Sequence, residues 1–113
     1  MITHLVLLTP RADLTTADRR AFVDAFERAT REIPTVRAIR VGTRVTHGAG
    51  YEQGMPDAGE LMAALDFDDL EGLRTYLGHA AHVELGALFG TLLSSALVFD
   101  YEVEDLELFR RLV

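Results

Sequence analysis

The segment Ile2 to Thr9, rich in β-branched residues and leucine and closed by Pro10, is apolar on both of its faces. Strand alternation puts Ile2, His4, Val6 and Leu8 on one side and Leu5 and Leu7 on the other. A strand of this kind lies inside a sheet and needs a cover above and below.

The rest of the chain offers helices for one cover. Thr15 caps a helix with Asp18 three positions on, and Ala17, Ala21, Phe22, Ala25, Phe26 and Ala29 form its apolar stripe, ended by Pro34. Val36 to Thr46 reads as a second strand, with Ile39, Val41 and Val45 on one face and Arg40 and Arg44 on the other, at a rim. His47 to Gly59, with its four glycines, reads as a loop, either a lid with Tyr51 or His47 at a ligand or a plain surface connection. Glu60 to Phe67 is a third strand with Leu61, Ala63, Leu65 and Phe67 on one side and Met62 and Ala64 on the other. Asp68 caps a short helix reaching Tyr76, Gly78 breaks it from a third helix over His79 to Leu93, and Ala96 to Val103 closes the pattern as a fourth strand. The fold class is α+β, in the ferredoxin-like order β-α-β-β-α-α-β. Its helices cover one sheet face only, and the bare face is apolar, so symmetric pairing of two sheets predicts a homodimer.

Charge and composition narrow the function. Against 18 acidic residues the chain has 11 Lys and Arg, and a net charge of -7 excludes a phosphate-backbone partner, so no nucleic acid is expected. Without cysteine there is no disulfide, thiolate nucleophile or sulfur-ligated metal. No apolar run suits a membrane span, and the N-terminus has no signal-like pattern. The expectation is a single cytoplasmic domain of 113 residues with no membrane partner.

The chemistry lies in Tyr76-Leu77-Gly78-His79-Ala80-Ala81-His82 together with His4. A neutral imidazole accepts a proton near neutral pH, and a phenol donates to the oxygen of a developing enolate. The candidate catalytic residues are therefore His82, Tyr76 and His4, which converge only if the Ile2/His4/Val6/Leu8 face is the one under the helices. Phe22, Phe26, Met62 and Phe89 are the candidate substrate-binding residues. The structural alternatives are an imidazole at His82 bonded to a backbone carbonyl or carboxylate near a helix start, and a packed aromatic at Tyr76. His79 and His82 stand at a metal-ligand spacing, and a metal site would need a third convergent ligand such as Asp100 or His4; without sulfur ligands no metal and no cofactor is expected, and His79 reads as a structural group at the helix start.

Four segments carry a family resemblance: Thr3-His4-Leu5-Val6-Leu7, Val41-Gly42, Tyr76 with His79-Ala80-Ala81-His82-Val83, and Phe99-Asp100-Tyr101-Glu102. The chain resembles the stress-responsive dimeric A/B barrel (Dabb) proteins over residues 1–103, which leaves 104–113 as a C-terminal extension. Within it Leu106, Phe109 and Leu112 suggest a short helix that docks its apolar stripe, either bracing the dimer or covering its own subunit. The resemblance implies a dimeric α/β barrel of two ferredoxin-like sheets. It extends to a plant polyketide cyclase that closes a ring by an intramolecular aldol step without metal or organic cofactor. That similarity implies catalytic roles for His4, Tyr76 and His82. It also implies a more apolar pocket, because Phe26 stands for a helix-one tyrosine and Met62 for a strand-three histidine, while Ala80 replaces a proline. The expected partner is a small apolar carbonyl or polyketide-like molecule, and the expected activity a cofactor-free aldol-type cyclase (lyase). A non-catalytic stress-responsive ligand-binding dimer and a cofactor-independent monooxygenase are the alternatives.

Overall fold

A computed structural model describes residues 1–113. In chain order it has β1 (Ile2–Pro10), α1 (Thr16–Glu32), β2 (Ala38–Thr43), β3 (Leu61–Phe67), α2 (Leu70–Gly78), α3 (Ala80–Leu92), β4 (Leu93–Glu102) and α4 (Glu107–Leu112). The four strands form one antiparallel sheet in the order β2-β3-β1-β4. This is the ferredoxin-like α+β arrangement expected from the sequence. No helix is long and apolar enough to cross a membrane.

The doubly apolar first strand takes the place its composition demands, between β3 and β4. Ile2, His4, Val6 and Leu8 are buried under the helices, and the residues between them are half-buried on the bare face. Ala63, Leu65 and Phe67 of β3 complete the same floor. Above it, Ala25 and Ala29 of α1, with no bulk beyond a methyl, let the helix sit close to the sheet, and Leu73, Ala81 and Leu85 extend the core under α2 and α3. Burying such side chains contributes roughly 1.5–3 kcal/mol for each large one.

Local signals set the helix ends. The Thr15 hydroxyl accepts from the Asp18 N–H at 3.0 Å while the Asp18 carboxylate accepts from the Thr15 N–H at 3.1 Å, a reciprocal cap. The cap of α2 is Asp69 and not the expected Asp68. Asp69 is the extended residue three before Gly72, whose N–H it accepts at 2.8 Å, whereas Asp68 pairs with Arg37. β4 starts at Leu93, directly after α3, where a short connection was expected. The loop after β2 includes a 3₁₀ turn at Gly50–Gly54. The terminal helix α4 forms as its spacing predicts, but Leu106, Phe109 and Leu112 face solvent rather than the chain's own sheet.

The bare face carries Leu5 and Leu7 beside Phe99 and Leu97 of β4, with Tyr101 opposite Thr3. Polar groups meet there at Asp66, which accepts from the Thr3 hydroxyl at 2.7 Å and has Arg40 nearby at 4.0 Å.

Gly59 turns the chain into β3 at φ 122°, and a Cβ there would stand 2.9 Å from the Leu8 backbone nitrogen. Both the conformation and the contact require glycine. Gly59→Ala is expected to destabilise the fold by about 1–3 kcal/mol in chemical denaturation, and an unchanged midpoint would contradict this geometry.

Candidate functional site

His4 is the one buried polar side chain of the core, 4 % exposed. A desolvated imidazole needs a partner, and the register of β1 on β4 supplies it: His4 lies opposite Asp100, and its Nδ1 donates to the Asp100 carboxylate at 2.5 Å. With the proton held on Nδ1, the Nε2 of neutral His4 is an acceptor, and on protonation the same atom becomes a donor.

The last turn of α2 brings Tyr76 over this pair. Its ring stands edge-on to His4 with centroids 5.9 Å apart and tilts against His82 at 4.7 Å. The phenol therefore lies between two imidazoles from separate elements. Burial pushes its pKa up to about 12, so it keeps its proton across the working range of the histidines.

The break between α2 and α3 orients His82. His79 occupies the joint and caps α3, its Nδ1 accepting from the Ala81 N–H at 3.0 Å, which is the structural role read for it from sequence. One turn on, His82 Nδ1 donates to the Leu77 carbonyl at 3.1 Å. That bond selects the tautomer with a bare Nε2, the form that accepts a proton. Burial pushes the His82 pKa down, the Leu77 carbonyl acts in the opposite direction, and the nearby His4 lowers it again.

These groups line one hollow of about 180 Å³ between the helices and the sheet. His4, Tyr76 and His82 all border it, as do Phe26 and Phe89. Phe22 stands behind them, its ring 6.0 Å from Phe26 and 5.7 Å from Phe89, and is not part of the lining. Met62 is the departure from the expected set. It pairs with Leu7 on the bare face, and its side chain reaches toward Gly42 there. Leu61, one residue earlier, faces the helices, because adjacent strand residues point to opposite faces. Met62 borders instead a more open hollow of about 450 Å³ on the far side of Phe26.

Sequence reasoning did not assign Val98 or Gly86 to the site, and it singled out Asp100 without pairing it with His4. Asp100 and Val98 alternate along β4 toward the helices, a signal that becomes readable only once the register against His4 and Val6 is known.

A one-faced helical layer over an antiparallel sheet, with an imidazole–carboxylate pair, a phenol and a second imidazole around one hollow, defines a ferredoxin-like domain that gathers its titratable groups at one place. The chain belongs to the Dabb family: the model of the stress responsive A/B barrel domain matches residues 2–103. It is 26 % identical over 100 residues to an olivetolic acid cyclase from Cannabis sativa, covering 88 % of this chain and 94 % of that protein. Among solved structures, an Arabidopsis thaliana protein matches with TM-score 0.76 at 19 % identity, covering 94 % of this chain and 98 % of the other. A hydroxynitrile lyase from Passiflora edulis matches with TM-score 0.75 at 12 % identity over 92 % and 94 % of the two chains. A dimeric ferredoxin-like protein of unknown function from Thermobifida fusca matches with TM-score 0.68 at 19 % identity over 90 % of each.

The electrostatics can be tested by NMR titration of the imidazoles. His82 is expected to titrate below 6.5, and His4→Asn to raise that midpoint by removing a nearby positive charge. A His82 midpoint above 6.5 in the wild type would show that burial does not govern it.

Proposed function

We propose that this protein is a homodimeric, cofactor-free acid/base catalyst acting on a small, largely apolar carbonyl compound, with an aldol-type cyclisation as the reaction class. The observation that carries the reading is the stacking of Tyr76 between His82 and the His4–Asp100 pair around one hollow. The similarity to an olivetolic acid cyclase supports it.

In this reading His82 Nε2 removes a proton from the carbon between two carbonyls, and the Tyr76 hydroxyl donates to the enolate oxygen as charge builds on it. The enolate carbon then bonds to a second carbonyl carbon of the same molecule, and the His82 imidazolium returns the proton to the new alkoxide. No net proton or electron is exchanged, so the cycle requires no redox partner. His4, held by Asp100, presents Nε2 as a further polar contact for a carbonyl or hydroxyl. The apolar lining from Phe26 and Phe89 suits the hydrocarbon part of such a substrate and keeps the charge-bearing step away from bulk water.

The reaction is tested by deuterium exchange at the central carbon of a β-diketone. His82→Ala is expected to lower kcat/KM by roughly 10² to 10⁴. The wild-type rate should fall on acidification with a midpoint below 6.5, since protonation removes the base. It should hold level through neutral pH, because Tyr76 releases its proton only near about 12. A His82→Ala rate equal to the wild type sinks the proposal.

The homodimer rests on the bare face, where Leu97, Phe99 and Tyr101 are 42 %, 45 % and 55 % exposed in the single chain. Apolar patches of this kind are uncommon on monomers, and solved structures with this fold are described as dimeric. Phe99→Asp is expected to convert the protein from two chains to one in light scattering, with the helical circular dichroism retained. A wild type that is already a monomer would remove this part of the reading.

A further inference from the structure

A compactly folded chain of 12.5 kDa exposes about 6,200 Å², whereas this one exposes 7660 Å². The excess, roughly 1,500 Å², is larger than the ~800 Å² that each partner of a standard interface buries. It is enough to take in the bare face and a further surface. The radius of gyration is 15.7 Å where about 13 Å is usual for such a length, so part of the chain projects. One such part is α4, which lies past the residues matched by the family model. Its Leu106 is 78 % exposed, with Phe109 and Leu112 exposed as well.

The end of β4 and the start of α4 form an elbow around an open hollow of about 470 Å³, bordered by Tyr101, Val103, Leu106 and Phe109. Tyr101 also belongs to the bare face, so the elbow continues the surface on which the homodimer rests. A second deficit lies at the other edge of the sheet. β2 has no strand on its outer side, and Val41, although it points to the helix side with Ala63, is 72 % exposed because the helices stop short of it. Three strand spacings, about 14 Å, separate this edge from β4, so the elbow does not serve the β2 of its own chain.

Charge matches the two edges. From Glu102 to Glu107 four of six residues are acidic and none is basic, whereas Arg37, Arg40 and Arg44 stand on or beside β2 with no acid among them. Arg40 comes no closer than 4.0 Å to a carboxylate of its own chain. Two copies can set bare face on bare face in two symmetric ways. Turning one copy about an axis along the strands lays each β4 against the other copy's β2, acids against arginines. Turning it about an axis across the strands lays β4 on β4 and acids on acids, which is repulsive.

We infer that the β4–α4 elbow is a clasp for a second copy of this chain, closing on its β2 edge so that Leu106 and Phe109 cover Ile39 and Val41 of that copy. Two-fold symmetry gives the pair two such clasps. This rests on the homodimer reading and goes beyond it by assigning the C-terminal extension its seat.

The chain has no cysteine, so introduced thiols report only on each other. Val41→Cys combined with Phe109→Cys is expected to give a covalent dimer on mild oxidation, seen in non-reducing gel electrophoresis, and each substitution alone to give none. Phe109→Ser should weaken the dimer roughly tenfold or more in sedimentation equilibrium, with the helical circular dichroism retained. A covalent dimer from Phe109→Cys alone, a disulfide closed within one chain, or an unchanged dissociation constant for Phe109→Ser overturns the clasp. So does a double variant that sediments as two chains yet forms no covalent dimer, and the homodimer then stands without it. A wild type that sediments as one chain overturns both.

Discussion

A histidine in the middle of the central strand must be satisfied inside the core, and in this fold one carboxylate does it. The His4–Asp100 hydrogen bond ties β1 to β4 at a single register. A slip of one residue would turn Asp100 to the bare face and leave the imidazole without its anion. The same register sets Val98 beside the hollow and Phe99 beside Leu5 on the opposite side. The histidine-lined hollow and the apolar outer face are thus two results of one strand alignment.

Around that pair the protein sorts its titratable groups chiefly by burial. Tyr76 is desolvated and stays a donor, whereas His82 is desolvated and stays an acceptor. Burial is the largest influence on both and drives them in opposite directions, because it disfavours an anion in one case and a cation in the other. A protonated phenol and a neutral imidazole consequently stand side by side at neutral pH.

Much of this could be read from residue order. The double apolarity of Ile2 to Thr9 placed that strand inside the sheet, and the reciprocal cap at Thr15 and Asp18 marked the first helix. His79 was legible as a helix-start group because it follows Gly78 at the break. What depended on tertiary register was not. Asp100 could not be matched to His4 before the strands were aligned. Met62 was grouped with the lining through a presumed match to another protein's histidine, although strand alternation already set it apart from Leu61. The boundary between α3 and β4 was blurred because Leu92 and Leu93 suit either element, and propensity does not separate them. The exposed stripe of α4 was beyond reach as well, since helical spacing predicts a stripe and not what lies against it.

The direct passage from α3 into β4 makes these two elements leaves of a single fold in the chain, joined at Leu93. The joint is pinned to the end of β1, where Arg11 donates to the Leu92 and Thr91 carbonyls at 2.9 Å and 2.7 Å and Ser94 to the Thr9 carbonyl at 3.0 Å. Gly86 and Val98, which both border the hollow, therefore lie on segments tied together by direct chain continuity and by these three hydrogen bonds.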